Sequence, residues 1–367
     1  MKRFWGDRYL CSTDEDYIPE LQSLFALCSF SNIVIIVDDD VAEAFPELNT
    51  LVEQRVRICP FPGGEQTKSV ESLIKLAQIC QDYINLQSIF VVIGGGALID
   101  TIGFLSGTLF RGLRYISIPT STMSMIDSAY GGKTGINLLS KNQIGIYHHP
   151  EVVYVNPLFL KTLPVNHFLS GLIEALKLTF FNEDISMLWN KIASNLPCWE
   201  MDGIFDLIKT AAGYKLELFE TDPFEEAKAS LFLYGHPFAN AFEVYSWENN
   251  NRYLPHGFAV GLGMVFSSWL ATSIGKVPSS MYEHHWNRVS QVLDISKLFD
   301  NNCPVDSDQF IKLLKIDKYF QNGVLRVPSL CGEPGYVSLD LNKIKKAYGE
   351  WRNAILNDIT PEKERHV

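Results

Sequence analysis

The sequence of 367 residues has little positive charge: 31 lysines and arginines stand against 42 aspartates and glutamates, giving a formal net charge of -11. Nucleic acids and anionic membranes are bound by cationic surfaces, so this balance argues against both as partners. Long apolar runs are also missing, since the most apolar later run, Phe258 to Ala271, is too short and too rich in glycine to span a bilayer. We therefore expect a soluble protein that acts on a small molecule.

Cysteine pairs are absent as well. The sequence has no Cys-x-x-Cys, and its cysteines are odd in number and scattered, which favours reduced thiols rather than disulfides or a cysteine-bound zinc. The N-terminus has no apolar stretch of signal-peptide length. Both absences predict a cytoplasmic protein. The cysteines are Cys11, Cys28, Cys59, Cys80, Cys198, Cys303 and Cys331.

Apolar, β-branched runs occur in the first half of the chain. Residues 32–37 (NIVIIV) end in three aspartates, residues 89–93 (IFVVI) end in three glycines, and residues 115–118 stop at Pro119. Such runs are typical of buried parallel strands whose polar ends meet at one edge of a sheet. Between the first two, residues 70–84 have apolar side chains at helical spacing, which predicts a β-α-β unit.

From about residue 165 the pattern changes to amphipathic helices. Leu169, Leu172, Ile173 and Leu176 follow helical spacing and predict one buried stripe. The sequence therefore predicts an α/β N-terminal Rossmann-like domain over residues 1–165 and an all-α domain over residues 166–367, with the active site in the cleft between them.

The glycines that follow the second strand are a candidate nucleotide site. Gly95 and Gly96 precede a predicted helix, so their backbone could approach a diphosphate that a Cβ would block. Asp38 ends the first strand, where dinucleotide folds bind a ribose hydroxyl, which favours NAD over NADP. The chain lacks G-x-G-x-x-G, so an ordinary glycine turn and a solvated carboxylate remain alternatives.

A second polar segment predicts an anion site. Two glycines precede Lys133, and Arg111 and Lys141 add positive charge to an otherwise acidic chain. Backbone amides beside such charges suit a phosphate. A lone lysine here would be a surface charge, but GGKTGIN followed by KN favours the phosphate interpretation.

Three further residues form a candidate metal site: Glu174 in GLIEALK, His236 in YGHPF and His256 in LPHG. One carboxylate with two imidazoles is a donor set of catalytic zinc-type sites. Either histidine alone could equally be a core or surface residue, so the metal interpretation depends on the three segments occurring together.

These segments together resemble the dehydroquinate synthase-like sugar-phosphate cyclases. The resemblance covers about residues 32–335 and rests on GGGALID, FRGLRYISIPTS, MIDSAYGGKTGIN, SKNQIG, FLKTLP, GLIEALK, YGHPF and LPHG in this order. It implies an NAD-binding domain packed on a helical domain, catalytic NAD, a zinc or cobalt ion, a sugar-phosphate substrate and a homodimer.

The resemblance also implies roles for individual residues. The implied metal ligands are Glu174, His236 and His256. The implied NAD contacts are Asp38, Glu65, Lys68, Gly95, Gly96, Asp100, Thr120, Ser121, Lys141, Phe159, Thr162 and Leu163. The implied catalytic and substrate contacts are Asp127, Lys133, Asn142, Lys177 and Lys215, together with Arg111, which would reach the neighbouring subunit's site.

The family reaction oxidises a hydroxyl, eliminates phosphate, reduces the ketone again and closes a carbocycle by an intramolecular aldol step. The resemblance also shows where this chain departs from true dehydroquinate synthases. It has Asn240 for a second histidine, and Leu233 and Phe258 for polar residues. Ala229 replaces the arginine that usually binds the substrate carboxylate, and the C-terminal lysine expected to help hold that carboxylate is missing. A buried carboxylate without its cation is costly, so these changes favour a neutral substrate end.

VLRVPS near the C-terminus resembles a string of cyclases that act on sedoheptulose 7-phosphate. We therefore expect a cyclase that makes a valiolone-type cyclitol from that sugar. SAYGGKTGIN resembles dehydroquinate synthase more closely, which keeps 3-dehydroquinate synthase as an alternative. A metal-dependent polyol dehydrogenase and a non-catalytic NAD-binding homologue are further alternatives.

Overall fold

A seven-stranded sheet forms the centre of the N-terminal half of the chain in this computed structural model, which describes residues 2–5, 8–26, 30–138, 141–194, 201–250 and 254–363. Cys28 and Cys198 lie outside the described residues, and the other five cysteines are free thiols. None of the described helices is long and apolar enough to cross a membrane.

The chain divides into two compact units. The first comprises residues 1–171 and 208–216, and the second comprises residues 172–207 and 217–367. The division therefore falls inside two helices rather than in linkers. The assignment of NAD binding to residues 1–165 and of metal and substrate binding to residues 166–367 stays a prediction.

The first unit alternates strands and helices, as the apolar runs predict. Its strands are β1 (Lys2–Trp5), β2 (Tyr9–Cys11), β3 (Asn32–Asp38), β4 (Val56–Phe61), β5 (Ser88–Gly94), β6 (Arg114–Pro119), β7 (Lys133–Ile136), β8 (Ile144–Tyr147) and β9 (Val152–Val155). Its helices are α1 (Ile18–Ala26), α2 (Asp39–Ala44), α3 (Val70–Cys80) and α4 (Gly96–Thr108), and α5 (Val165–Leu178) begins in it.

The sheet has the order β1-β2-β9-β6-β5-β3-β4, with β1 antiparallel to β2 and the other neighbours parallel. Strands β3 and β5 are apolar because they are covered on both faces: Val34, Ile35, Phe90 and Val91 have no exposed surface. Since the strands are parallel, Asp38, Gly94 and Pro119 end at the same edge of the sheet.

The second unit is mostly helical, so the predicted fold class is confirmed. Its helices are α6 (Glu183–Ala193), α7 (Met201–Thr221), α8 (His236–Asn250), α9 (His256–Ser273), α10 (Ser279–Ser290), α11 (Ile295–Asn302), α12 (Ser307–Leu314) and α13 (Leu341–Lys363). A small antiparallel sheet, absent from the prediction, is formed by β10 (Phe320–Gln321), β11 (Val324–Pro328) and β12 (Tyr336–Asp340).

Helix α5 is more deeply buried than its amphipathic pattern suggests. Leu172, Ile173 and Leu176 are fully buried, as predicted, whereas Leu169 is only half-buried. The opposite face is also covered, because Glu174 is 2% and Lys177 is 1% exposed. Charged side chains are almost never buried so completely unless they have partners or bind ligands, which draws attention to this pair.

Candidate functional site

Three side chains in the second unit converge as a possible metal site. Glu174 lies on α5, and His236 and His256 are the first residues of α8 and α9. One ligand atom of each lies within 4.8 Å of the other two, and the two imidazole rings have centroids 5.2 Å apart. The sequence places these residues far apart, but the fold brings all three together.

Both histidines have their Nδ1 atom next to an acceptor. Nδ1 of His236 lies 3.3 Å from the Tyr234 carbonyl oxygen, and Nδ1 of His256 lies 3.4 Å from a carboxylate oxygen of Glu243. A carbonyl and an ionised carboxylate can only accept, so each imidazole carries its proton on Nδ1. Both Nε2 atoms then keep the lone pair that a metal needs.

Glu174 has one oxygen paired and the other unpaired. Its Oε2 accepts a hydrogen bond from the Lys177 ammonium, which also donates to the Phe232 carbonyl oxygen. Its Oε1 is buried and has no hydrogen-bond partner. An unsatisfied buried acceptor costs about 1–3 kcal/mol, which a cation bound at Oε1 would relieve. The donor set and this orphaned oxygen both fit a zinc or cobalt ion.

Two glycines allow α8 and α9 to approach at this point. Gly235, just before α8, has φ +81°, a conformation that disfavours a side chain. A Cβ on Gly263 of α9 would lie only 2.2 Å from the Gly235 carbonyl oxygen. The close approach therefore requires glycine at position 263, and the positive φ favours it at 235, next to His236.

Tyr234, whose carbonyl contacts His236, is held by a buried histidine. The Tyr234 hydroxyl lies 3.0 Å from Nε2 of His285, whose Nδ1 lies 2.8 Å from the Met281 carbonyl oxygen. Phe180 stacks on the His285 ring at 3.9 Å. The Met281 carbonyl oxygen accepts a hydrogen bond from Nδ1–H, so Nε2 can accept from the Tyr234 hydroxyl, which anchors Tyr234 two residues before His236.

Stability is expected to fall in acid because of His285. Burial lowers the pKa of His285 from its ordinary 6.5 to about 4. The unfolded chain therefore binds the proton first, so the stabilisation is complete above pH 6.5 and is lost as pH falls toward 4. The expected loss is on the order of 3 kcal/mol, measured by urea unfolding at pH 7 and pH 4.5. His285→Gln should flatten this dependence, and an unchanged pH profile in that variant would contradict the assignment.

Weaker metal binding is expected when Glu243 loses its charge. In Glu243→Gln the acceptor of His256 Nδ1 is neutral and the imidazole is less basic, so affinity for zinc or cobalt should fall about 10–100-fold. Competition with a chromogenic chelator measures this directly. Glu248→Gln, an exposed change on the same helix, is the matched control and should bind like wild type. Equal affinities in both variants would remove Glu243 from the site.

The first unit carries the predicted NAD residues. Gly95 is the N-cap of α4 and Gly96 its first residue, where β5 ends; both are half-buried, and the first helical turn has no acidic side chain. The Asp38 carboxylate accepts from the Asp40 amide at 3.1 Å, and a Cβ on Gly63 would lie 1.9 Å from it. Asp38 is thus the N-cap of α2 and is packed against glycine backbone, and burial raises the pKa of its carboxyl group.

Lys68 connects two of the predicted sets. Its ammonium, 5% exposed, lies 2.6 Å from an Asp100 oxygen and also donates to the side-chain oxygen of Asn142. Burial raises the pKa of Asp100 and the Lys68 charge opposes that rise. Nearby, the Asn137 amide donates to Glu65 at 2.8 Å and its oxygen accepts from the Asn142 backbone amide at 2.8 Å. Predicted NAD contacts and a predicted phosphate contact therefore form one hydrogen-bonded cluster.

The remaining predicted NAD residues are placed differently. Thr120 is buried with its amide bonded to the Gly94 carbonyl, and the Ser121 hydroxyl bonds that of Ser124 at 2.8 Å. Phe159 is fully buried between Tyr17 and Phe45, with ring centroids 5.1 Å from each. Thr162 and Lys141 are exposed and Leu163 is half-buried. The contacts of Thr120, Ser121 and Phe159 are therefore separate from the hydrogen bonds of the cluster around Lys68.

Lys215 and Asp127 form a second charged pair in the first unit. The Lys215 ammonium, 6% exposed, donates to the Asp127 side chain at 2.7 Å and to its carbonyl oxygen at 2.9 Å. Asp127 lies in a single π-helical turn, Ser124–Ser128, a distortion that is frequent at functional sites. The two predicted substrate residues are therefore neighbours.

Two predicted cationic residues, Lys133 and Arg111, lie in or directly after backbone with positive φ angles. Lys133 is exposed at the start of β7, directly after Gly131 and Gly132, which have φ +83° and +68°. Exposed Arg111 has φ +69° and follows Phe110 with φ +51°. Left-handed conformations at two successive non-glycine residues cost energy and are concentrated at functional sites.

Some site residues were missed from the sequence. Glu243 stands seven residues after His236, two helical turns on, so its spacing could have been used. Asn137 belongs to the polar segment that predicts the phosphate site, but its contacts with Glu65 and Asn142 are seen only in the structure. Tyr234 acts through its backbone, which gives no sequence signal, and Asp317, a partner of Asn240, is distant in sequence.

Two sequence families match consecutive parts of the chain. Residues 58–170 match the family described as 3-dehydroquinate synthase N-terminal, and residues 171–320 match 3-dehydroquinate synthase C-terminal. The chain is also 32% identical over 279 residues to a 3-dehydroquinate synthase of Wolinella succinogenes, which covers 75% of this chain and 77% of the relative.

Two solved structures share the fold. A 2-deoxy-scyllo-inosose synthase complexed with carbaglucose-6-phosphate, NAD+ and Co2+ has a TM-score of 0.79 at 22% identity, covering 93% of this chain and 96% of that one. A 2-epi-5-epi-valiolone synthase from Streptomyces hygroscopicus subsp. jinggangensis 5008 with NAD+ and Zn2+ bound has a TM-score of 0.74 at 22% identity, covering 96% and 98%. At these identities the likeness shows the fold alone.

Proposed function

The chain belongs to the dehydroquinate synthase-like family of sugar-phosphate cyclases, and from this premise we propose that it is an active cyclase that uses NAD and a divalent metal. The substrate we propose is sedoheptulose 7-phosphate, and the product is a valiolone-type cyclitol. The enzyme would be a phosphate-eliminating lyase, since each NAD molecule is regenerated within one turnover.

The proposed metal binding is supported by one observation. The Oε1 atom of Glu174 is buried and has no hydrogen-bond partner, and it lies beside two histidines whose Nδ1 atoms are each next to an acceptor. A metal held by Glu174, His236 and His256 would supply polarisation of a substrate hydroxyl, and bound NAD would supply reversible hydride transfer. Lys177 keeps the second carboxylate oxygen of Glu174 occupied, which orients the first. Its ammonium is buried, so it also supplies positive charge near the substrate oxygens.

The proposed NAD binding is supported by the residues at the edge of the sheet in the first unit. The start of α4 at Gly96 provides unpaired amides and carries no acidic side chain to repel a diphosphate. Asp38, fixed as an N-cap, is the proposed acceptor for a ribose hydroxyl. The charges of Asp100 and Lys68 compensate each other, so this pair can be buried next to a bound cofactor without adding net charge to the site.

We assign the departure of the phosphate to Lys133 and to the polar residues near it in the first unit. Lys133 supplies charge next to a glycine pair whose backbone can approach an anion. Lys68 orients Asn142 because its ammonium donates a hydrogen bond to the side-chain oxygen of Asn142. The amide NH2 group of Asn142 can then donate to the substrate. Lys215 and Asp127 would hold and exchange a proton with a substrate hydroxyl.

We propose a neutral substrate end because this chain has uncharged side chains where a dehydroquinate synthase has polar or charged ones. Ala229, at the position of the arginine, is fully buried, and its amide donates to Asp222 at 2.8 Å. Leu233 and Phe258 add no charge. Burying a carboxylate without a cation costs several kcal/mol, whereas a hydroxyl needs only a hydrogen-bond partner.

A second candidate, 3-dehydroquinate synthase, is favoured by the curated relative and by SAYGGKTGIN. The two candidates differ in substrate and can be separated in one assay. Enzyme with NAD and zinc or cobalt is given sedoheptulose 7-phosphate or 3-deoxy-arabino-heptulosonate 7-phosphate, and inorganic phosphate is measured. We expect faster release from the first sugar, and faster release from the second would favour 3-dehydroquinate synthase.

Other outcomes of the same assay identify the remaining alternatives. NADH that accumulates with turnover would indicate a polyol dehydrogenase, and NAD and metal binding without turnover would indicate a non-catalytic homologue. We further propose a cytoplasmic homodimer in which Arg111 reaches the partner's site. Sedimentation should show twice the chain mass of 41.5 kDa, and a monomer with full activity would remove that role of Arg111.

A further inference from the structure

Asn240 lies beside the candidate metal site through helix geometry. It stands four residues after His236 on α8, and side chains at that spacing share one face of a helix. It is half-buried. The group next to the proposed metal ligand is therefore a neutral amide rather than an imidazole or another cation.

The amide of Asn240 is held by Asp317. Its Nδ2 donates to an Asp317 oxygen at 2.7 Å, and the other Asp317 oxygen accepts from the Tyr319 backbone amide at 2.8 Å. Asp317 lies in the turn between α12 and β10, where its carbonyl accepts from the Phe320 amide at 3.0 Å. Both carboxylate oxygens are thus engaged, which fixes the position from which Asp317 acts on Asn240.

This contact determines how the amide is oriented. An ionised carboxylate cannot donate, so Asn240 must present its NH2 group to Asp317. The amide oxygen is then the atom that Asn240 offers on its other side, and it accepts only. A sugar hydroxyl can donate to it, whereas a substrate carboxylate has no proton to give and would also meet the negative charge of Asp317.

From this geometry we propose that Asn240 is a specificity-determining residue that accepts a hydroxyl of the substrate, and that Asp317 is the residue that positions it. The inference rests on the proposed function and adds the group that recognises the neutral end of the sugar. Asp317 acts through Asn240.

The charges around the pair are compatible with this role. Lys318 follows Asp317 and is exposed, with its ammonium 5.1 Å from the Tyr319 ring centroid. Arg326 lies 3.6 Å from Glu226 and stacks on Tyr336 at 4.4 Å, so its charge is already compensated. Lys318 is therefore the cation to test as a competing carboxylate anchor.

The test compares kcat and KM for the two sugar phosphates named above in Asn240→Ala, Asp317→Asn and Lys318→Ala. We expect Asn240→Ala to raise KM for sedoheptulose 7-phosphate about tenfold or more and to change kcat less than about threefold. Asp317→Asn should lower the preference for that sugar about tenfold, because the amide of Asn240 is then free to reverse. Lys318→Ala should leave the preference unchanged.

Controls separate this inference from loss of the fold and from failure of the proposed function. Asp308→Asn, an exposed change whose carboxylate pairs with Lys345 at 2.6 Å, should behave as wild type. Thermal unfolding checks Asp317→Asn, and Asn240→Ala tests the same contact without altering the turn. An unchanged preference in both Asn240→Ala and Asp317→Asn overturns the inference while the cyclase function stands. Wild type that releases phosphate from neither sugar overturns the proposed function, and the inference with it.

Discussion

Replacing Glu174 with glutamine is expected to remove most of the bound metal. Wild-type protein should hold about one zinc or cobalt ion per chain, since the site offers one carboxylate oxygen and two imidazole nitrogens. Residues that only hydrogen-bond to a metal ligand change metal affinity about 10–100-fold, so loss of the charged ligand itself should weaken binding by at least about 100-fold. Elemental analysis after dialysis against a weak chelator measures the change.

The same substitution also leaves the Lys177 ammonium buried beside a neutral partner. Removing one member of a buried ion pair costs about 3–5 kcal/mol, so thermal unfolding must accompany the metal analysis. Glu183→Gln, an exposed change at the start of α6, is the control and should keep its metal. Full metal in a folded Glu174→Gln variant would contradict the assignment of the site.

Replacing Lys133 with alanine is expected to slow phosphate release about 10²–10³-fold, the loss found when one charge-stabilising group is removed from an active site. The phosphate carries negative charge as its bond breaks, so this cation should act more strongly in the transition state than in the bound substrate. The effect should therefore appear mainly in kcat, measured by continuous phosphate release.

Metal content and NAD affinity should stay at wild-type values in Lys133→Ala, because Lys133 lies on β7 and is not among the proposed ligands of either group. Lys75→Ala, an exposed change on α3 of the same unit, is the matched control. Phosphate release within twofold of wild type would take Lys133 out of the mechanism.

The sheet of the first unit could be predicted because its strands carry strong local signals. The runs at residues 32–37, 89–93 and 115–118 are apolar and β-branched, and all three are strands in the structure. Edge elements could not be predicted: β1 and β2 are short, and β2 depends on pairing with the distant β9. Their stability comes from partners that the local sequence does not reveal.

The small sheet of the second unit shows the same limit. From the sequence, VLRVPS is interpreted only through its resemblance to a string of cyclases that act on sedoheptulose 7-phosphate, and no strand is predicted there. In the structure it pairs with β12 and β10. The positive φ angles of Ser329, the last residue of this string, and of Cys331 also have no sequence signal, since neither residue type favours that conformation.

The sequence could predict which residues form the site, but not the contacts that they make with residues far away in the chain. Ligand types and their motifs indicated Glu174, His236 and His256, and the fold brings them within 4.8 Å. Which histidine nitrogen is available could not be read from residue types, because it depends on the Tyr234 carbonyl and the Glu243 carboxylate. The contact of Asn240 with Asp317 joins residues 77 apart in the chain and required the folded structure.

We propose above all that this chain eliminates phosphate from a sugar while its NAD is regenerated within each turnover. The most direct measurement supplies one NAD per chain, zinc or cobalt, and excess sedoheptulose 7-phosphate, and follows phosphate and NADH together. We expect many phosphate molecules to be released per NAD, with no lasting rise in NADH absorbance. Phosphate release that stops after one equivalent, or NADH that rises in step with product, would contradict it.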